Sequence, residues 1–393
     1  MRAFTSPPRA QGSKRQRGVT LVEILVGVLI AMIGIVVIFS VLAVAEARKR
    51  TTTAGSDAQT AGAIALFSLE RDIKLAGYGF GTFGGSNQMN CTVDAYDALR
   101  GGTGPDFDFT LAPVLITQGA GGAPDTLSVF YGNSNLIVAG KAFTFSSFGT
   151  KQTASSLGGR TGLLKGNVLL IAGQVGAALN CQLVEVTDNT NGDAVTINHV
   201  TGSYTPDGSV TSVTARYNKA SGPAFVNGFI YDMGNAPTRA VWSIQAVNGA
   251  PRLVVQDDMH WVDADGDGQN DVLQVFDDVI DLQAEYGVAV DSNADGQLDR
   301  LGSWQTAAPA DMASVYAVRL AILARSRQAE KEKVTSTAPA WAGGSFTMLD
   351  VGGVADTNPG DAVKGDPSNW RNYRYRVYET LVPIRNVVWG NLP

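Results

Sequence analysis

A long apolar stretch near the start of the chain restricts the folds and locations open to it. Between Val19 and Ala45 the single charged residue is Glu23. A helix over this stretch is about 40 Å long, enough to cross a hydrocarbon core of about 30 Å. Basic residues lie on both sides: Arg2, Arg9, Lys14, Arg15 and Arg17 before it, and Arg48, Lys49 and Arg50 after it. Basic residues that flank a membrane segment favour the cytoplasmic side, so we expect the N-terminus to lie in the cytoplasm. The basic group at 48–50 reduces the charge difference between the two flanks.

Two ordinary explanations of this stretch leave Glu23 unaccounted for. Ala43-Val44-Ala45 has the small-x-small form of a signal peptidase site, but the apolar run is longer than the roughly 7 to 15 residues of a secretory signal. A plain single-pass anchor fits the length better. Neither explains the carboxylate, because a charge inside a membrane segment costs about 2.5 to 3.5 kcal/mol unless it is paired or lies near the interface.

The residues around Glu23 form a specific motif. Arg17-Gly18-Val19-Thr20-Leu21-Val22-Glu23 resembles the prepilin motif of type IV pilins and type II secretion pseudopilins. The resemblance implies that a prepilin peptidase cuts after Gly18, that the new N-terminal amine of Val19 is methylated, and that Glu23 guides assembly. Major pilins usually carry Phe where this chain has Val19, whereas minor pilins vary more at that position.

Charge pairing gives the motif a physical role. Cleavage creates an α-amine at Val19, and in a helical stack of subunits this amine can approach Glu23 of a neighbour. Because an unpaired buried charge costs several kcal/mol, a subunit enters the filament in the register that pairs the two groups. We therefore expect Glu23 to set the assembly register.

A second resemblance narrows the family. Segment 46–77 keeps a helical apolar pattern that ends near Gly77. The sequence from Phe67 to Gly79, FSLERDIKLAGYG, resembles a segment of PilW-type minor pilins, as do stretches 282–288, 315–325 and 380–386. This resemblance implies an α+β fold, in which a long N-terminal pilin helix packs on a large antiparallel β-sheet domain.

Four segments follow from these observations: a leader 1–18, a transmembrane or filament-core helix half 19–45, an amphipathic helix half 46–77, and a β-rich periplasmic or extracellular body 78–393. The 45 glycines of the chain, with many Asn, Asp and Pro residues, favour short strands joined by turns. The pattern predicts strands at 126–131, 167–171, 183–186, 194–198, 211–217, 225–231, 240–246, 252–255, 315–323 and 373–381.

The chain has two cysteines, Cys91 and Cys181. An even count in a chain that leaves the cytoplasm favours one disulfide, which would close a loop of about 90 residues. The alternative is two unrelated buried thiols.

Two acidic loops have the ligand spacing of a calcium site. Oxygen-bearing side chains occupy positions 1, 3, 5 and 9 of each loop, with Gly at position 6: Asp263, Asp265, Asp267 and Asp271 in the first, and Asp291, Asn293, Asp295 and Asp299 in the second. Ca²⁺ takes 6 to 8 such oxygens, but neither loop has the Glu found at position 12 of an EF-hand. We expect structural Ca²⁺ at one or both loops and no organic cofactor, with a solvated hairpin turn as the alternative.

Composition and motifs argue against other classes. A net charge of -6 does not suggest nucleic-acid binding. The two histidines, His199 and His260, form no recognisable catalytic signature with the cysteines, so we predict no enzymatic activity. The run Gly79-Phe80-Gly81-Thr82-Phe83-Gly84 matches a dinucleotide fingerprint in form, but it follows a helix instead of a strand.

The resemblance to PilW-type minor pilins implies that this chain primes or joins a bacterial type IV pilus, and the resemblance together with the large body implies a place in a tip complex with other minor pilins. The expected partners are the major pilin, other minor pilins, the prepilin peptidase, the inner-membrane assembly platform and a tip adhesin. The chain would sit in the inner membrane before assembly and in the extracellular fibre afterwards. The alternatives are a minor pseudopilin of a type II secretion system and a membrane-anchored, calcium-dependent adhesin.

Overall fold

The computed structural model describes residues 18–81, 89–100, 104–135, 140–144, 154–156, 162–188, 196–293, 298–350, 354–355 and 368–390. Residues 1–17 of the predicted leader and Asp295 of the second acidic loop lie outside these ranges. The chain divides into two compact units, Met1–Thr53 and Ala54–Pro393.

The described residues form an α+β fold with helices α1 (Leu21–Leu75) and α2 (Arg385–Gly390). The strands are β1 (Thr92–Asp94), β2 (Phe109–Thr110), β3 (Val114–Thr117), β4 (Thr126–Tyr131), β5 (Lys141–Thr144), β6 (Ala154–Ser156), β7 (Val168–Val175), β8 (Ala178–Glu185), β9 (Thr196–Asn198), β10 (Ser203–Tyr204), β11 (Val213–Thr214), β12 (Asn227–Asp232), β13 (Thr238–Val247), β14 (Ala250–Asp257), β15 (Gln274–Phe276), β16 (Val279–Val290), β17 (Arg300–Gln305), β18 (Val315–Arg325), β19 (Ala340–Trp341), β20 (Gly344–Ser345), β21 (Leu349–Asp350), β22 (Val354–Ala355) and β23 (Tyr375–Pro383).

Helix α1 begins and ends with recognisable signals. Its apolar part, Leu21–Glu46, is long enough to cross a membrane. At the other end Gly77 adopts a φ of 76°, the left-handed conformation that commonly terminates helices. The amide of Asn386 donates to the carbonyls of Leu75 (3.2 Å) and Ala76 (2.9 Å), so the C-terminal segment satisfies the last carbonyls of the helix.

The body consists of three larger antiparallel-rich sheets. Their strand orders are β2-β1-β8-β7-β12-β5, β15-β14-β13-β4-β3 and β17-β16-β18-β23. Neighbouring strands pair antiparallel except β1 and β8, which run parallel. The pairs β6/β9, β10/β11, β19/β20 and β21/β22 form separate two-stranded ladders.

The last turns of α1 pack into the main core of the body. Ala65, Leu69 and Ile73 recur every four residues on one face and are fully buried. They share a hydrophobic cluster with apolar residues of the five- and four-stranded sheets, including Trp242 and Val382. The two sheets therefore pack against one face of the last turns of α1.

A buried hydrogen bond ties this helix to the five-stranded sheet. Trp242 Nε1 donates to Asp72 Oδ2 at 3.1 Å. Burial raises the pKa of Asp72, an effect opposed by Arg71 and by the hydrogen bond from Trp242. The indole therefore satisfies a carboxyl group that packing has removed from water.

The predicted disulfide is present. Cys91 and Cys181 are bonded, with their Cα atoms 5.8 Å apart. The bridge lies beside the parallel pairing of β1 and β8, in which Val93 faces Cys181. The alternative of two unrelated thiols is wrong, because both cysteines belong to one buried cluster and are joined there.

Candidate functional site

The predicted cleavage and assembly residues lie at the start of α1. Gly18 and Val19 precede the helix. Thr20 caps it: its hydroxyl accepts a hydrogen bond from Glu23 N–H at 3.3 Å, and its carbonyl accepts from Glu23 N–H (3.0 Å) and Ile24 N–H (3.2 Å). Glu23 thus lies in the first turn, where a negative charge interacts favourably with the helix dipole.

The capping role of Thr20 was not part of the sequence prediction. The signal was present, because Thr20-Leu21-Val22-Glu23 has the S/T-x-x-E form of a capping box ahead of an apolar run. Because Thr20 is the cap, Val19, the residue after the predicted cleavage point, lies directly before the start of the helix.

The apolar part of α1 is exposed along its length. In Met1–Thr53 the large apolar side chains from Leu21 to Val44 are all exposed. A helix that is apolar on every side requires a lipid or protein environment. Such a helix is expected of a membrane anchor.

The first acidic loop brings three of its four predicted ligands together. Carboxylate oxygens of Asp263, Asp265 and Asp267 lie within 4.8 Å of one another. Asp263 accepts from the backbone N–H groups of Gly266 (2.7 Å) and Gly268 (3.0 Å), which fold the turn around it. The loop is mostly exposed.

The fourth predicted ligand of this loop, Asp271, forms hydrogen bonds across the base of the hairpin. Its Oδ2 accepts from Ala264 N–H at 3.0 Å, and its own N–H donates to Val262 at 2.7 Å. It does not belong to the three-carboxylate cluster in the described part of the chain. Asp271 closes the hairpin across the loop, because a carboxylate next to a free backbone amide forms a charge-assisted hydrogen bond.

The second loop uses the same closure. Asp299 accepts from the backbone N–H of Ser292 at 3.1 Å and from its hydroxyl at 2.6 Å. The hydrogen bond from the Ser292 hydroxyl lowers the pKa of Asp299. Asp291 accepts from Asn293 N–H at 3.2 Å. Asp295 lies outside the described residues, so the four-ligand set of this loop stays a prediction.

Polar side chains at the base of the first loop form a connected set of hydrogen bonds. Asn270 is buried, accepts from Val262 N–H at 3.0 Å and donates to the Asp257 carbonyl at 2.9 Å. Asp257 in turn accepts from Arg239 N–H at 3.1 Å and lies 2.7 Å from His260 Nδ1. These bonds fix both ends of the loop on the end of β14.

The donor set of the first loop fits a hard cation such as Ca²⁺. All three clustered side chains offer carboxylate oxygens, the ligand type that Ca²⁺ prefers. Backbone amides bind some lone pairs of these oxygens, but each carboxylate can accept about four bonds. The cluster alone supplies fewer protein oxygens than the 6 to 8 in the Ca²⁺ shell, so carbonyls or water would complete it.

The histidines have structural surroundings. His199 is buried, and burial lowers its pKa to about 4. His260 is bound to Asp257 at the base of the acidic loop. Both therefore have positions that the fold itself explains.

Comparison with known families found two matches. The family described as Type IV Pilus-assembly protein W matches residues 241–386, and the Prokaryotic N-terminal methylation motif matches residues 13–39. A search of curated proteins and a search of solved structures found no match.

The matched segments coincide with the two ends of the structure described above. The methylation motif covers Gly18, Glu23 and most of the exposed apolar helix, so the chain is anchored in the inner membrane and later incorporated into a pilus. The second match runs from within β13 to the start of α2. Together they identify the chain as a PilW-like minor pilin of type IV pili.

Proposed function

We propose that this minor pilin enters the pilus through pairing of the Val19 amine with Glu23 of an adjacent subunit, and that it primes assembly in a tip complex with other minor pilins. The placement of Glu23 in the first turn of an exposed apolar helix carries the proposal. In an apolar filament core each charge would neutralise the other and so avoid the cost of an unpaired buried charge. Pilin families are structural, and no catalytic step is part of the proposal.

An exposed stripe on the second half of α1 supports contact with neighbouring subunits. Ile64, Phe67 and Leu75 lie on the face of α1 opposite the core, at spacings of three and eight residues. Their side chains are 49%, 69% and 42% exposed, respectively. Large apolar side chains grouped on one face mark interaction surfaces more often than isolated ones do. Exposed apolar side chains therefore occur in both halves of α1.

The assembly step is tested by two substitutions at the ends of the apolar stretch. Glu23→Gln removes the charge at the pairing position, while Glu46→Gln removes one at the opposite end of Leu21–Glu46. We expect Glu23→Gln to abolish recovery of the protein in sheared pili and Glu46→Gln to leave it. Both variants should remain in the membrane and be cleaved after Gly18. Normal amounts of Glu23→Gln in sheared pili would contradict the pairing.

The tip position is tested separately. A body of this size, Ala54–Pro393, is easier to accommodate at a filament end than within a close-packed shaft. Gold-labelled antibody against the body should mark one end of each pilus, and deletion of the gene should reduce pilus number more than pilus length. Labelling along the whole shaft would refute the tip position while leaving the pairing intact.

We further propose that the first acidic loop binds Ca²⁺ in a structural role. The supporting observation is the approach of the three carboxylates of Asp263, Asp265 and Asp267. Calorimetry on the detergent-solubilised chain with millimolar CaCl₂ should show binding that Asp265→Asn weakens at least tenfold. The control Asp277→Asn removes the same charge from a residue paired with Arg252 away from this loop. Absence of heat and of any change in melting temperature would rule the site out.

A further inference from the structure

A partly open cavity of about 410 Å³ lies in the body, away from the features described above. It is formed by the β13–β14 hairpin, the adjoining ends of β16 and β18, and the segment around β21. Its walls include the apolar side chains of Ile244, Ile280, Leu323 and Met348. Binding sites for small ligands typically measure about 300 to 1,000 Å³ and have mainly apolar walls.

Asp281 brings a carboxyl group into this apolar surrounding. It lines the cavity and is only 6% exposed. Gln283 Nε2 donates to its Oδ1 at 2.9 Å. None of the ion pairs formed by the described residues involves Asp281, although a buried carboxylate is normally paired with a cation.

The other charged side chains of the cavity are held by their own partners. Arg325 lies over the ring of Tyr373, 4.6 Å from its centroid. Asp350 accepts from the backbone N–H of Trp370 at 3.0 Å. Asp281 is buried, and its side-chain hydrogen-bond donor, the amide of Gln283, is neutral, so a cation inside the cavity would supply the countercharge that its carboxylate lacks.

A β-bulge directs Asp281 to this position. The register of β16 against β18 shifts between Val279 and Asp281, so Ile280 is the extra residue. A bulge interrupts the alternation of side chains and often re-aims one of them beside a binding site. Here it places Asp281 and Leu282 in succession on buried positions.

We infer that the cavity binds a primary amine on a short hydrocarbon chain, with the ammonium at Asp281 and the chain along the apolar walls. Burial raises the pKa of Asp281 to about 7, and a bound cation would offset the cost of ionising it. The same chemistry is offered by a free alkylamine and by the lysine side chain of a neighbouring protein.

Calorimetry of the full chain in detergent at pH 8 tests this with pentylamine, pentanol and pentanoate. Pentylamine should bind at least tenfold more tightly than the other two. Asp281→Asn should weaken pentylamine binding at least tenfold, whereas Asp106→Asn, an equal loss of charge at an exposed residue paired with Lys219, should not change it. Equal binding of the alcohol, preference for pentanoate, or unchanged binding by Asp281→Asn overturns the inference, as does the absence of binding.

A second variant keeps the test informative should Asp281→Asn fail to fold. Met348→Trp adds bulk to the cavity wall and keeps Asp281, and it should abolish pentylamine binding. Retained binding would place the amine elsewhere and refute the site. Nα-acetyl-lysine methylamide distinguishes the two sources: binding comparable to pentylamine identifies a lysine side chain as the occupant, and binding of pentylamine alone identifies a free amine.

Discussion

The close approach of α1 to β23 at Gly62 allows a sharp test of the packing. A Cβ atom at position 62 would lie 2.4 Å from the ring of Tyr378, below any real carbon–carbon contact. The ring has little freedom to withdraw, because its hydroxyl donates to the Gln59 carbonyl at 3.0 Å. Gly62→Ala therefore combines overpacking, which costs about 1 to 3 kcal/mol, with a gain of about 1 kcal/mol in helix propensity.

Gly55 in the same helix is the matched control. Nothing lies within 4 Å of a Cβ atom there, so Gly55→Ala should gain the helix propensity alone and stabilise the protein by about 1 kcal/mol. The difference between the two alanine variants isolates the overpacking, about 1 to 3 kcal/mol.

Guanidinium denaturation of the full chain in detergent, followed by tryptophan fluorescence, measures both free energies of unfolding. In a Tyr378→Ala background the cost at Gly62 should disappear, since the ring that obstructs the methyl group is gone. Equal changes for Gly62→Ala and Gly55→Ala in the parent chain would refute the packing described here.

Three further predictions concern the body. Replacing both Cys91 and Cys181 by Ser should lower the free energy of unfolding by about 4 kcal/mol, because the unfolded chain regains the freedom of a loop of 90 residues; an unchanged denaturation midpoint in the double variant would contradict this. Trp242→Phe should cost about 1 to 3 kcal/mol by leaving Asp72 without its indole donor, and Asp72→Asn should reduce that cost in a double-mutant cycle. The folded state holds a proton on Asp281 more tightly than the unfolded state does, because its pKa rises from 3.8 to about 7. This contribution is complete below about pH 4 and is lost as the pH rises through 7. Stability should therefore fall by about 3 kcal/mol between pH 5 and pH 8, and Asp281→Asn should remove that change from the denaturation curves.

The helical part of the fold is readable from the sequence because its signals are local. The apolar stretch, the periodic pattern after it and the glycine at position 77 predict a helix whose observed end, Leu75, lies close to that glycine. Strand β4 likewise occupies the predicted residues Thr126–Tyr131. In both cases the pattern that determines the element lies within the element.

The predicted strand at 211–217 shows why other parts were not readable. Only Val213–Thr214 forms a strand. The backbone N–H groups of Arg216 (2.6 Å) and Tyr217 (3.2 Å) donate to the carboxylate of Glu185, a residue about thirty positions earlier in the chain. A side chain thus takes the hydrogen bonds that a neighbouring strand would have taken, and no local pattern signals that competition.

The bulge at Ile280 is also determined by a contact with a distant part of the chain. Segment 282–288 was recognised by its resemblance to PilW-type pilins, but nothing in the residues predicted that the register would shift just before it. The shift depends on how β16 pairs with β18 about 40 residues later, where Val279 faces Ala324 and Asp281 faces Leu323. Consequently the cavity and the position of Asp281 could be found only from the folded chain.

The two acidic loops show how one spacing serves two purposes. In each loop the ninth residue, Asp271 or Asp299, binds the backbone N–H of the second residue and so closes the hairpin. The sequence spacing predicts that these two aspartates bind a metal. The same spacing also suits hydrogen bonds to backbone amides, so spacing alone does not distinguish the two roles. Both closures are made to backbone amides, and the proposed cation would bind at the other three carboxylates of the first loop. The proposed Ca²⁺ would relieve the mutual repulsion of Asp263, Asp265 and Asp267, which the closure by Asp271 leaves unopposed.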